Sequence, residues 1–85
     1  MSQEENMFIN KVSEGNNISG SNIAKFRKGL GISQRELADR MQLVGIDIDK
    51  NAIQRIEARK RFVTDIELNS FAKVLNVSLE SLLKE

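Results

Sequence analysis

The chain has 85 residues, with 13 Lys and Arg against 12 Asp and Glu for a net charge of +1, and hydrophobic side chains at 40% of positions. This is one small domain, near the lower size for a sufficient core, and Leu, Ile, Val and Phe at 26 positions make it too apolar for a disordered chain. With no Cys and no His, disulfides, thiolate chemistry, zinc-finger sites and imidazole acid–base catalysis are excluded.

Residues 1–20 are expected to form a flexible N-terminal arm, because Ser13-Glu14-Gly15-Asn16-Asn17 and Ser19-Gly20-Ser21 are turn-prone. Within it Met7, Phe8, Ile9 and Val12 fit either a short docked element or a poorly ordered tail. Lys11 stands against Glu4, Glu5 and Glu14, and this acidic balance argues against an arm that enters a DNA minor groove. Residues 21–85 form the folded domain. Its first helix is expected over about Asn22 to Gly29, burying Ile23 and Phe26 and ending near Gly31.

Ser33-Gln34-Arg35-Glu36 fits a capping box and starts a second helix with Leu37, Ala38 and Met41 on its core face. This helix is expected to reach about Val44 and to stop at Gly45 in the left-handed conformation. Ile46 and Ile48 then return to the core. Asp49 is an acceptable N-cap for a third helix that turns Ala52, Ile53 and Ile56 inward, and small Ala38 and Ala52 allow the two helices to cross closely. Lys50, Asn51, Gln54 and Arg55 are left outward, the side-chain types that read base edges and phosphates in a major groove. Residues 50–61 hold Lys50, Arg55, Arg59, Lys60 and Arg61 against Glu57 alone, so the basic charge is local, as a groove-binding face requires. Thr64-Asp65-Ile66-Glu67 is a second capping box, opening a fourth helix with Leu68, Phe71, Ala72 and Leu75 on its core face and Asn76 at its left-handed end. Ser78 caps a last short helix expected to bury Leu79, Leu82 and Leu83.

Ile23, Phe26-Arg27, Gly31-Ile32-Ser33-Gln34, Glu36-Leu37-Ala38, Met41, Ile53, Arg55-Ile56-Glu57, Lys60-Arg61, Leu68, Ala72, Leu75, Val77-Ser78 and Leu82 together resemble the phage-repressor-like helix-turn-helix family, the Cro and xenobiotic-response-element type of regulator. The resemblance covers Ser21 to Glu85 and implies an all-α, compact five-helix repressor-like DNA-binding domain. It implies a bacterial, phage or mobile-element transcriptional regulator, a repressor that inserts the helix at about 50–58 into the major groove of a palindromic operator. Lys50, Asn51 and Gln54 match the base-reading positions. Gln34 matches a position that bonds phosphate or the head of the recognition side chains, and Lys60 and Arg61 match the loop that grips phosphate. Arg35 and Arg55 fit either phosphate contacts or solvated surface residues. Arg27 is matched to a structural ion pair with Glu57, with phosphate binding as its other reading. The implied partners are double-stranded DNA and a second copy, since such domains act as homodimers on half-sites about one helical turn apart. With no further domain after Glu85, the last helix and Met7 to Val12 are the candidates for dimer contacts.

The chain departs from the family pattern in two places. The connection around Leu43-Val44-Gly45-Ile46-Asp47 is longer than the usual short turn. Arg59 replaces the usual glycine after the recognition helix, and because a non-glycine residue at positive φ costs on the order of 1 kcal/mol, that helix is expected to run on by a few residues.

The competing class is a protein-interaction module, an antitoxin or anti-repressor adaptor, which uses the same helices to dock a regulatory protein partner, with the Gly45 to Asp49 link able to serve that surface. An enzyme is not expected, because nothing assembles a nucleophile, a base and an oxyanion site. Asp47-x-Asp49-x-Asn51 starts like a calcium loop, but Ala52 and Ala58 occupy the required glycine and terminal glutamate positions. No metal or other cofactor is expected. The absence of an apolar span or signal-peptide pattern points to a cytoplasmic chain with no membrane partner.

Overall fold

Five helices follow one another in a computed structural model that describes residues 15–85, with no strand among them. They are α1 (Gly20–Gly29), α2 (Gln34–Leu43), α3 (Lys50–Glu57), α4 (Asp65–Leu75) and α5 (Leu79–Leu83). Met7, Phe8, Ile9 and Val12 lie outside the described residues. None of the described helices is long and apolar enough to cross a membrane.

The helix starts follow the capping chemistry written in the chain. Ser33, Asp49, Thr64 and Ser78 each accept a backbone N–H from the first turn of the helix they precede. The Thr64 box is complete, with Glu67 reaching back to the Thr64 N–H at 3.0 Å. At Ser33 the hydroxyl takes the Glu36 N–H, but the Glu36 carboxylate turns to Arg40 at 2.8 Å, one helical turn on. α1 starts two residues before the expected Asn22, and its first N–H is taken by the side chain of Asn17 at 2.7 Å.

The helix ends share one geometry. After α1, α2, α3 and α4, the chain passes through a left-handed residue, respectively Gly31, Gly45, Arg59 and Asn76. In each case the next amide folds back five residues: Ile32 N–H to Arg27 O, Ile46 N–H to Met41 O, Lys60 N–H to Arg55 O, and Val77 N–H to Ala72 O. These are Schellman motifs, which satisfy carbonyls that the helix end would otherwise leave unpaired.

The left-handed Arg59, at φ 64°, corrects the expectation that α3 runs on. The helix stops at Glu57 because the chain upstream supports the unfavourable conformation. Arg59 Nε donates to Asn17 O at 2.8 Å, and Asn16 N–H donates to Arg59 O at 2.8 Å.

The core is built from Ile23, Ile32, Leu37, Ala38, Met41, Ile48, Ile53, Ile56, Phe71, Ala72, Leu75 and Leu82, with Phe26, Ile46, Ala52 and Leu68 partly buried against it. α2 and α3 pack together, and α1 and α4 each support α2 or α3 from behind. The long α2–α3 link is fixed at both ends, since Ile48 is buried and Gln42 Nε2 donates to Ile48 O at 2.9 Å. Asn22 Nδ2 donates to Leu82 O and Lys84 O, tying α1 to the end of α5. Of the three leucines expected to be buried on α5, only Leu82 is. Leu79 and Leu83 remain 42% and 41% exposed, because a five-residue helix lying on the bundle turns one position fully inward.

Candidate nucleic-acid interface

α3 has two unlike faces. Ile53 and Ile56 are fully buried, while Lys50, Asn51, Gln54 and Arg55 are exposed, and no side-chain hydrogen bond among the described residues engages any of these four. The capping bond from Ala52 N–H to Asp49 fixes where the helix begins at 2.8 Å. It therefore fixes which residues occupy the exposed first turn. Buried Ile48, just before the cap, sets the rotation of that turn relative to α2. Between α2 and α3 runs a groove of about 350 Å³ lined by Arg35, Ala38, Asp39, Gln42, Asp49 and Lys50. Arg35 is exposed on the α2 side of this groove.

At the other end of α3 the charge is organised by pairing. Glu57 receives Arg27 Nε at 2.7 Å and Arg27 Nη2 at 3.1 Å, and Gln34 Nε2 at 2.9 Å. The two charged side chains are only 10% and 7% exposed, and Arg27 Nη1 also donates to Ile32 O at 2.8 Å. Arg27 thus joins α1, the start of α2 and the end of α3. Gln34 sits beside the interface with one amide hydrogen committed to Glu57, which leaves its second for another acceptor.

Beyond α3, Lys60 is exposed, with its backbone carbonyl held by Asn16 Nδ2 at 3.1 Å. Arg61 differs from a free surface cation. Its guanidinium donates to both oxygens of Glu67, at 3.0 and 3.1 Å, and to Phe62 O at 2.9 Å. Chiefly through this hydrogen bond, Arg61 holds the Glu67 carboxyl below its ordinary carboxylate value, against the opposing effect of partial burial. The same contact raises the Arg61 pKa.

Exposed amide and ammonium groups on one helix, cations on the loop behind it, and a neutralised carboxylate between them form a surface suited to a polyanion with readable edges. A helix-turn-helix family model matches residues 23–82. The chain belongs to that helix-turn-helix family. It is the family of Cro, phage-repressor and xenobiotic-response-element type regulators, so this is a DNA-binding regulator domain. No curated protein and no solved structure is matched.

Two features of the site were missed in the sequence. One is the Arg61–Glu67 pair, for which the six-residue spacing across a loop gives no periodic signal. The other is the placement of Asn16 and Asn17 against the end of α3. An Asn pair before a helix has a local signal as a cap, but nothing local names its second partner.

Proposed function

We propose that the chain is a sequence-specific transcriptional repressor that lays α3 in the major groove of a palindromic operator and blocks access of polymerase. The observation that carries this is the outward face of α3. Lys50, Asn51 and Gln54 are exposed without side-chain hydrogen-bond partners among the described residues, while the opposite face is locked into the core by Ile53 and Ile56. Such a face is held rigidly and yet has its hydrogen-bonding capacity unspent. Asn51 and Gln54 suit adenine N6 and N7, and Lys50 suits guanine O6 and N7, each good pairing giving about 1–3 kcal/mol of discrimination.

Phosphate contacts flank these residues. Arg35 reaches from the α2 side, and Arg55 and Lys60 from the C-terminal side. Gln34 adds its second amide hydrogen. Arg61 contributes through the loop, in competition with Glu67, so the greater share of phosphate binding there falls to Lys60. Two copies bind two half-sites one helical turn apart, with the exposed Leu79 and Leu83 of α5 available to their contact.

A second reading, a protein-docking module, rests on Leu43 and Val44. They stand 85% and 51% exposed where the long α2–α3 link begins. Selection of binding sites from a random duplex library separates the two. Enrichment of a palindrome with half-sites about 10 base pairs apart is the expected result. Weak, salt-sensitive binding common to every duplex would instead favour the protein-docking module.

A further inference from the structure

Residues 15–19 precede the span matched by the family model, yet they are fastened to the far end of α3. Asn17 holds three backbone points together. Its Nδ2 donates to Ile56 O at 3.1 Å and to Arg61 O at 2.8 Å, while its Oδ1 accepts the Gly20 N–H at 2.7 Å. Asn16 adds its backbone N–H to Arg59 O and its Nδ2 to Lys60 O. Arg59 returns the contact through Nε to Asn17 O. The approach leaves no room for larger residues, since a Cβ on Gly20 would stand 2.1 Å from Ile56 O and one on Gly15 would stand 2.7 Å from Arg59 Cβ.

Every carbonyl captured this way belongs to the last turn of α3 or to residues 59–61, the loop that carries Lys60. An unfastened loop would have to be ordered when it meets phosphate, at about 1–2 kcal/mol per fixed residue. A loop already fixed is spared that loss on binding. We infer that Asn17, assisted by Asn16, is a positioning residue for DNA binding: the segment upstream of the helix-turn-helix domain presets the Arg59–Arg61 loop so that Lys60 meets phosphate. The inference rests on the DNA-binding reading above. It assigns affinity, but no base preference, to residues outside the family domain.

The test compares the full chain with Asn17→Ala, Asn16→Ala, Lys60→Ala and the Asn17→Ala/Lys60→Ala double variant. Each is titrated against the selected duplex and a scrambled duplex of equal length, well below its thermal midpoint. Asn17→Ala is expected to weaken both duplexes about tenfold and to leave the ratio between them unchanged. In the Lys60→Ala background its effect should shrink to about twofold, because the two residues act on one contact. Asn16→Ala, at an exposed position that keeps the fold, should lose about threefold on both duplexes. The inference is overturned if Asn16→Ala binds like the wild type, or if Asn17→Ala costs the same factor with and without Lys60, which would mark a general loss of structure. It is equally overturned by a changed ratio between duplexes. Should the wild type bind neither duplex, the DNA-binding reading itself fails, whereas a binding wild type with unaffected variants removes the inference alone.

Discussion

A carboxylate at the end of the helix proposed to read DNA would repel phosphate, and Glu57 is disarmed by three hydrogen bonds from two other elements. Arg27 supplies the compensating charge. Because both side chains are largely buried, removal of either leaves an unpaired charge in a poorly solvated place. Arg27→Met should therefore destabilise the fold by roughly 3–5 kcal/mol, while Arg27→Met combined with Glu57→Leu should lose far less than the sum of the single changes. Urea unfolding of the three variants checks this. A single change worth under about 1 kcal/mol would rank the pair with ordinary surface bridges. Nothing in the periodicity of the chain joins two residues 30 positions apart. The pair was legible only through the family resemblance, whereas the exposed set Lys50, Asn51 and Gln54 followed directly from the spacing of Ile53 and Ile56.

Local rules were most informative at the helix boundaries. Ser33, Asp49, Thr64 and Ser78 are caps by residue type, and Gly45 and Asn76 are natural left-handed residues. Arg59 performs the same role against its own preference, since its support comes from Asn16 and Asn17, more than 40 residues upstream. This is why the end of α3 was misread while the end of α2 was not. The same tertiary contact inverts a propensity rule at the start of α1. Alanine is a better helix former than glycine by about 1 kcal/mol, yet at Gly20 its Cβ would meet Ile56 O at 2.1 Å, whereas at Gly29 nothing stands within 4 Å. Gly29→Ala should accordingly hold or raise the thermal midpoint, and Gly20→Ala should lower it. Equal midpoints for the two variants would mean that α1 and the end of α3 have room for a methyl group between them. On α5, helical spacing alone could not say which of Leu79, Leu82 and Leu83 would be buried, because the direction of so short a helix is set by its neighbours.

At the scale of the molecule, a nearly neutral chain separates its charges into a basic surface around α3 and an acidic remainder. Residues 62–85 hold Lys73 and Lys84 against Asp65, Glu67, Glu80 and Glu85. The whole fold can be read as a means of holding α3 at its margin. α1 and α4 supply the core behind it, α2 sets its angle through the buried link residue Ile48, and residues 15–19 fasten its end. The all-helical class and the helix-turn-helix arrangement were legible from patterning and motif together. The neutralisation of Arg61 by Glu67 was not, and it leaves Arg59 and Lys60 as the loop cations without a carboxylate partner among the described residues. The most direct measurement is binding of Gln54→Ala and Lys60→Ala to the selected operator and to its single-base variants over a range of salt. Gln54→Ala should relax preference at one base position and keep the salt slope. Lys60→Ala should weaken all sequences alike and reduce the slope by about one unit. If Gln54→Ala instead lost affinity equally on every sequence, α3 would not be reading bases.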